Sequence, residues 1–143
     1  MDYKVHFKDP ELSLQGELIE IGPGQYTGKH WNPDHLYLWE EAFGLVEGVV
    51  AKHFPAFDHF AMNDIPKKIG LQITREWRHL SDQIGSMLPY ELEQALRLDL
   101  SFRNYDVSQF EHHRVEITVM LRELADRCDE FYQTSEWICI LGI

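Results

Sequence analysis

Tyr3, Val5 and Phe7 alternate with Lys4, His6 and Lys8, a period of two that predicts a half-buried strand. Asp9-Pro10-Glu11 is a turn signal. Residues 12–21 follow as a second extended segment, in which Gly16 marks a bulge or bend. Together they predict an N-terminal hairpin. Gly22-Pro23-Gly24 stops the second strand, and residues 25–31 read as a loop. Asn32-Pro33 has the form of a helix start, with Asn as the cap and Pro at the first helical position. Leu36, Trp39, Phe43, Val46 and Val50 then recur at helical spacing, beside a stripe of Leu38, Ala42, Leu45 and Val49. A mostly buried first helix ending near Pro55 is the expectation. Gly44 and Gly48, four residues apart, predict the close approach of a neighbouring element.

Asp64 reads as the cap of a second helix, with Pro66 in its first turn. Ile65, Ile69, Ile73, Trp77, Leu80 and Ile84 run at spacings of three and four up to Gly85. Pro89 starts a shorter helix through residue 97, carrying Leu92 and Leu96 inward. Residues 96–102 also alternate, so a strand there is an open alternative. Ser108-Gln109-Phe110-Glu111 fits a capping box. Phe110, Ile117, Leu121, Leu124, Cys128 and Phe131 then trace a long helix to about Tyr132. Thr134-Ser135 breaks it, and residues 137–143 form an apolar β-type tail that is expected to pair with the hairpin. The fold class is α+β. A small antiparallel or mixed sheet, the N-terminal hairpin plus a C-terminal strand, packs with about four helices. Residues 1–143 form a single domain, a size at which roughly 70% of the unfolded surface is buried.

Charge changes the picture. Residues 9–50 carry Asp9, Glu11, Glu17, Glu20, Asp34, Glu40, Glu41 and Glu47 against Lys29 alone, a net −7 within a chain total of −11. Such a surface repels nucleic acid and anionic membrane and attracts basic partners. Lys67-Lys68 is the only basic doublet, so nucleic-acid binding is disfavoured. No apolar run reaches the roughly 18 residues that span a membrane. The first residues lack a signal-type apolar core, and Cys128 and Cys139 read as buried free thiols, so a cytoplasmic location is expected.

Catalytic motifs are absent. There is no Gly-x-Ser-x-Gly elbow, and Gly22-Pro23-Gly24 lacks the Lys-Ser/Thr of a phosphate loop. His30, His35 and Asp34, and separately His53, Asp58 and His59, lie at loop–helix junctions where metal ligands can converge. Neither group has a spacing that forces convergence. Glu76-x-x-His79 has no second copy, as a di-metal carboxylate bundle would require. The expectation is therefore no metal, no cofactor and no enzymatic activity.

Size, charge, aromatic content and the lack of catalytic motifs resemble, in general character, bacterial immunity proteins. That resemblance implies a stoichiometric inhibitor that occludes a basic partner, such as the nuclease domain of a toxin. The expected partner-binding residues are Glu11, Glu17, Glu20, Glu40, Glu41 and Glu47, with Tyr26 and Trp31 as aromatic anchors. A small histidine-dependent metal-binding protein or enzyme, and a non-catalytic subunit of another complex, are the alternatives.

Overall fold

The structure is a computed structural model that describes residues 2–7, 17–96 and 110–142. Its strands are β1 (His6–Phe7), β2 (Leu18–Pro23), β3 (Leu36–Trp39), β4 (Met62–Pro66) and β5 (Trp137–Gly142). Its helices are α1 (Glu40–Phe43), α2 (Glu47–His53), α3 (Lys67–Gln83), α4 (Pro89–Ala95) and α5 (Phe110–Thr134), with a 3-10 turn at Ile84–Ser86. The strands form one antiparallel sheet in the order β1-β3-β2-β5-β4. The α+β class and the pairing of the C-terminal strand with β2 match the expectation from sequence.

The apolar tail lies at the inside of the sheet, between β2 and β4. A strand flanked and covered on both faces reads as a continuous apolar run, and Trp-Ile-Cys-Ile-Leu-Gly does. Side chains alternate across a pleated sheet. Ile19, Ile21, Leu36, Leu38, Ile65, Ile138 and Ile140 face the helices and join one core with Trp77, Leu121, Leu124 and Tyr132. Their neighbours Glu20, Tyr37 and Cys139 point to the far face, which residues 24–35 cover. No described helix is long and apolar enough to cross a membrane.

α3 and α5 pack along each other. Beside their shared apolar seam, Thr74 Oγ1 donates to Asp129 at 2.7 Å, and Arg78 pairs with Asp126 at 2.8 Å and with Asp129 at 2.5 Å. Trp77 Nε1 donates to the Val46 carbonyl at 3.2 Å, tying α3 to the turn before α2. α4 starts at Pro89 as expected; the Leu88 backbone N–H donates to the Glu91 carboxylate at 3.0 Å.

Three expectations are corrected. The first concerns the N-terminal hairpin: β1 pairs with β3, not with β2, and the hairpin of this sheet is β2–β3 across residues 24–35. The second concerns the first helix. Residues 36–39 are a strand, and two short helices separated by a turn at residues 44–46 follow. A stretch that is apolar at almost every position satisfies a period of two as well as 3.6, so spacing does not choose between them. Pairing chooses: Leu36 opposite Ile21 and Leu38 opposite Ile19 fill the helix-side core, while Tyr37 reaches the other face. The third is the second helix start. Asp64 and Ile65 belong to β4, and α3 begins after Pro66, whose extended backbone (φ −70°, ψ 151°) ends the strand. The Asp9-Pro10 turn, the Gly16 bulge, residues 97–102 and the Ser108 capping box lie outside the described residues.

Gly70 is a constraint at the α3–α5 contact. A Cβ there would overlap the Tyr132 ring, whose hydroxyl donates to the Ile65 carbonyl at 3.0 Å. Gly70→Ala is expected to displace that hydroxyl and destabilise the fold by about 1–3 kcal/mol. Urea unfolding of the variant measures it, and adding Tyr132→Phe is expected to recover part of the loss.

Candidate functional site

Two polar clusters are built into this apolar framework, each around carboxylates that the sequence reading placed on the surface. Glu20 has no solvent exposure. It sits in β2 on the far face, opposite Tyr37 on β3 and Leu141 on β5. Five donors reach its two oxygens. They are the backbone N–H groups of Trp31 (3.2 Å) and Asn32 (3.0 Å), Asn32 Nδ2 (3.2 Å), the Tyr37 hydroxyl (3.0 Å) and His35 Nδ1 (2.9 Å). His30 Nδ1 lies 3.4 Å from the same carboxylate. Burial by itself pushes the Glu20 carboxyl up, but the bonds from His35, Asn32 and Tyr37 outweigh it and hold it down at about 2. Burial and the Glu20 charge push the Tyr37 phenol up.

The loop over Glu20 is shaped by it. Trp31 has φ 64°, a left-handed conformation that is strained for a bulky side chain. Its backbone N–H and that of Asn32 both point at the carboxylate, so the loop keeps this conformation to satisfy a buried anion. The Trp31 indole stacks on Tyr37 (centroids 5.4 Å apart, planes at 21°) and is 37% exposed. Tyr26 is half-buried; its N–H donates to Asp64 at 2.8 Å and its ring tilts against His30. Gly22 gives the His35 ring its place, because a Cβ there would collide with the imidazole. Asn32 is thus a ligand of Glu20 and not a helix cap.

The second cluster joins Glu40 at the start of α1, Glu47 at the start of α2 and His59 from the loop before β4. His59 Nε2 lies 2.7 Å from Glu40 and Nδ1 lies 2.5 Å from Glu47, and all three are buried. Asn63 shapes the loop that aims His59 inward. Its Oδ1 accepts the Asp58 N–H at 2.8 Å, and its Nδ2 reaches the carbonyls of Asp58, Ala61 and Ile140. A pocket of about 130 Å³ opens beside the cluster, with Glu17, Glu40, His59, Phe60 and Gly142 in its lining.

Of the expected partner-binding residues, Glu17, Glu41 and Trp31 are at the surface and Tyr26 is half-exposed, whereas Glu20, Glu40 and Glu47 are internal. Glu11 lies outside the described residues. The three internal carboxylates are withdrawn from any docking face, because each is committed to donors within the fold. His35 and His59 serve as their partners, and the His30 ring lies beside Glu20; His53 pairs with Glu76 at 2.9 Å. Among the described residues, no group of three His, Cys, Asp or Glu side chains is arranged to hold a metal ion. Burial pushes the Cys128 thiol up to about 12 and the Cys139 thiol up to about 11, which leaves both protonated.

The burial of Glu20 and Glu47 had a signal in the sequence, although their histidine partners did not. Glu20 stands between Ile19 and Ile21, and Glu47 between Val46 and Val49, inside otherwise apolar runs. An acid in such a run is either a solvated interruption or a buried charge that must find donors. No protein-family model, curated protein or solved structure matches this chain.

Two outcomes follow from these clusters. The folded Glu20 pKa, about 2, is below its ordinary value of 4.5. Its contribution is therefore fully present above pH 4.5 and lost as pH falls through about 2. Urea titrations across that range are expected to show wild type losing on the order of 3 kcal/mol more than Glu20→Gln. Separately, Glu40→Lys is expected to cost about 3–5 kcal/mol by breaking a buried pair, while Glu41→Lys stays within about 0.5 kcal/mol. Thermal unfolding of the two neighbours distinguishes an internal acid from a surface acid.

Proposed function

We propose that the protein is a stoichiometric, non-catalytic inhibitor that binds a basic protein partner, of the class of a toxin nuclease domain, and acts by occlusion. The observation that carries this reading is Trp31. A large aromatic residue is held in a left-handed backbone conformation, partly exposed, by two backbone hydrogen bonds to a buried carboxylate. Strain at a bulky residue costs on the order of 1–3 kcal/mol and persists where the surroundings over-determine it. Tryptophan is the residue type most enriched at the centres of protein interfaces, and a side chain ordered before binding loses little entropy on binding.

Charge supplies the direction of the partner. With a net charge of −11, the protein attracts basic surfaces over distances comparable to the Debye length. Asp34 is exposed three residues from Trp31, and Glu17 and Glu41 are exposed near the second cluster. In this reading Trp31 and Tyr26 are the anchors, and these carboxylates pair with lysines and arginines that would otherwise hold phosphates. Glu20 is a positioning residue for Trp31, and Glu40 and Glu47 are internal supports.

Trp31→Gly separates binding from folding, because glycine accepts the positive φ without strain while removing the indole. Paired affinity capture from the native host, with wild type and Trp31→Gly as baits, is the test. A basic protein retained by wild type, released as salt rises and bound at least about tenfold more weakly by the variant is the expected result. Equal retention by both baits, or capture insensitive to salt, would overturn the reading.

A further inference from the structure

We propose that an open basin between the end of α2 and the outer face of α3 is a binding site for a phosphate monoester, a small organic molecule carrying one phosphate group. The basin is about 520 Å³ and is lined by His53, Gln72, Arg75, Glu76 and His79. None of these residues belongs to the Glu20 cluster or to the Glu40–His59–Glu47 cluster, so the site stands apart from the partner proposed above.

Glu76 joins the two helices. Its Oε1 accepts from Lys52 at 2.5 Å, and its Oε2 lies 2.9 Å from His53 Nε2. Lys52 and His53 occupy the last turn of α2, where the helix dipole favours cations. That accounts for these two residues as helix-end chemistry. It does not account for Arg75 and His79. Both are exposed on α3, four residues apart and therefore on one face, with Gln72 about one turn before Arg75.

Arg75 is the odd member of its kind. The chain holds 24 acids against 13 lysines and arginines, so acids are in excess for pairing. Arg78 pairs with Asp126 and Asp129, Arg122 with Asp82, and Arg127 with Glu130, while Arg114 donates to the Ile84 carbonyl. Among the described arginines, Arg75 alone has no side-chain hydrogen bond or ion pair. Both oxygens of the adjacent Glu76 are already engaged, by Lys52 and His53. Gln72 and His79 are likewise without side-chain partners among the described residues. Two cations, Lys52 and Arg75, against one acid, Glu76, leave this patch at +1 before either imidazole is charged, in a chain of −11.

Chemistry selects the ligand. A guanidinium fork, an amide and an imidazole on adjacent turns offer donors to three oxygens, which suits a phosphate better than a two-oxygen carboxylate. A phosphate monoester carries about −1.5 to −2 and complements the positive patch. Small-molecule sites run to about 300–1,000 Å³. A basin of about 520 Å³ has room for an organic group beside the phosphate. Nucleic acid is disfavoured, because its many phosphates meet the repulsion of the whole −11 chain, whereas one phosphate meets a local positive patch within a Debye length. Among the described residues, His53, Glu76 and His79 form no ligand set for a metal ion.

The test titrates phenyl phosphate, inorganic phosphate and benzoate into isotopically labelled full-length protein at constant ionic strength. Saturable shifts of the His53, Gln72, Arg75 and His79 amide signals with phenyl phosphate, at a dissociation constant of roughly 1 mM, are expected. Inorganic phosphate is expected to bind about threefold or more weakly, and benzoate about tenfold or more weakly. Arg75→Gln and His79→Gln, both exposed positions whose variants are expected to unfold at the wild-type temperature, each weaken phenyl phosphate binding about threefold or more. Arg75→Lys keeps the charge but loses the fork, and is expected to fall between wild type and Arg75→Gln. Benzoate binding as tightly as phenyl phosphate, shifts reproduced by sodium chloride alone, or unchanged binding by both glutamine variants would overturn the assignment. Inorganic phosphate binding as tightly as phenyl phosphate would overturn the ester in favour of the free ion. Shifts produced by zinc ion, with none from phenyl phosphate, would overturn it in favour of a metal.

Discussion

A carboxylate with no access to water is costly for a small protein, because moving an ion out of water costs several kcal/mol unless donors replace it. Glu20 is such a group, and much of the far side of the sheet is arranged around it. Residues 24–35 cross that face and deliver two backbone N–H groups, an amide and an imidazole, and β3 delivers a phenol. The same requirement makes residues 36–39 a strand: only there does Tyr37 stand opposite Glu20 while Leu36 and Leu38 turn to the core. The left-handed backbone of Trp31 follows, since it aims adjacent N–H groups at one carboxylate.

Glu40, His59 and Glu47 repeat this logic across another junction. Here one imidazole bridges two acids and thereby pins the loop before β4 to the starts of α1 and α2. Asn63 backs the loop from the other side with bonds that reach β5. The N-terminal acids thus divide into two populations. Glu20, Glu40 and Glu47 organise the interior, whereas Glu17, Asp34 and Glu41 meet solvent. The density of acid in the sequence is therefore a poor measure of the charge presented to a partner, although the chain total of −11 is unaffected by where each acid lies.

This division also explains how an acidic binder would retain order at its surface. Exposed anchors on loops lose entropy when they bind, and a loop held by charge-assisted bonds loses less. Trp31 is tied through Glu20, and the backbone around Phe60 is tied through Asp58 and Asn63. Trp31 stands beside a buried carboxylate cluster, and that placement links the interior chemistry to the proposed surface.

Local pattern alone determined the body of α3, though not its start, and α4, α5 and β5. Ile73, Trp77, Leu80 and Ile84 repeat at helical spacing with polar residues between them, Pro89 starts a helix as its fixed φ favours, and residues 137–142 form an unbroken apolar run. In the helices the contrast between apolar and polar positions carries a period, and in β5 the shortness of the apolar run after Thr134-Ser135 marks a buried strand. Residues 36–50 have little such contrast, so their division into β3, α1 and α2 came from pairing with β2 and from packing. The candidate site was legible as a set of acids and histidines, but not as partnerships. Tyr37 lies 17 residues from Glu20 and His59 lies 12 from Glu47, and whether an acid faces water or an imidazole is decided by contacts at that range. Tertiary structure alone settled which carboxylates are internal, because a charge is buried only where distant parts of the chain bring it donors.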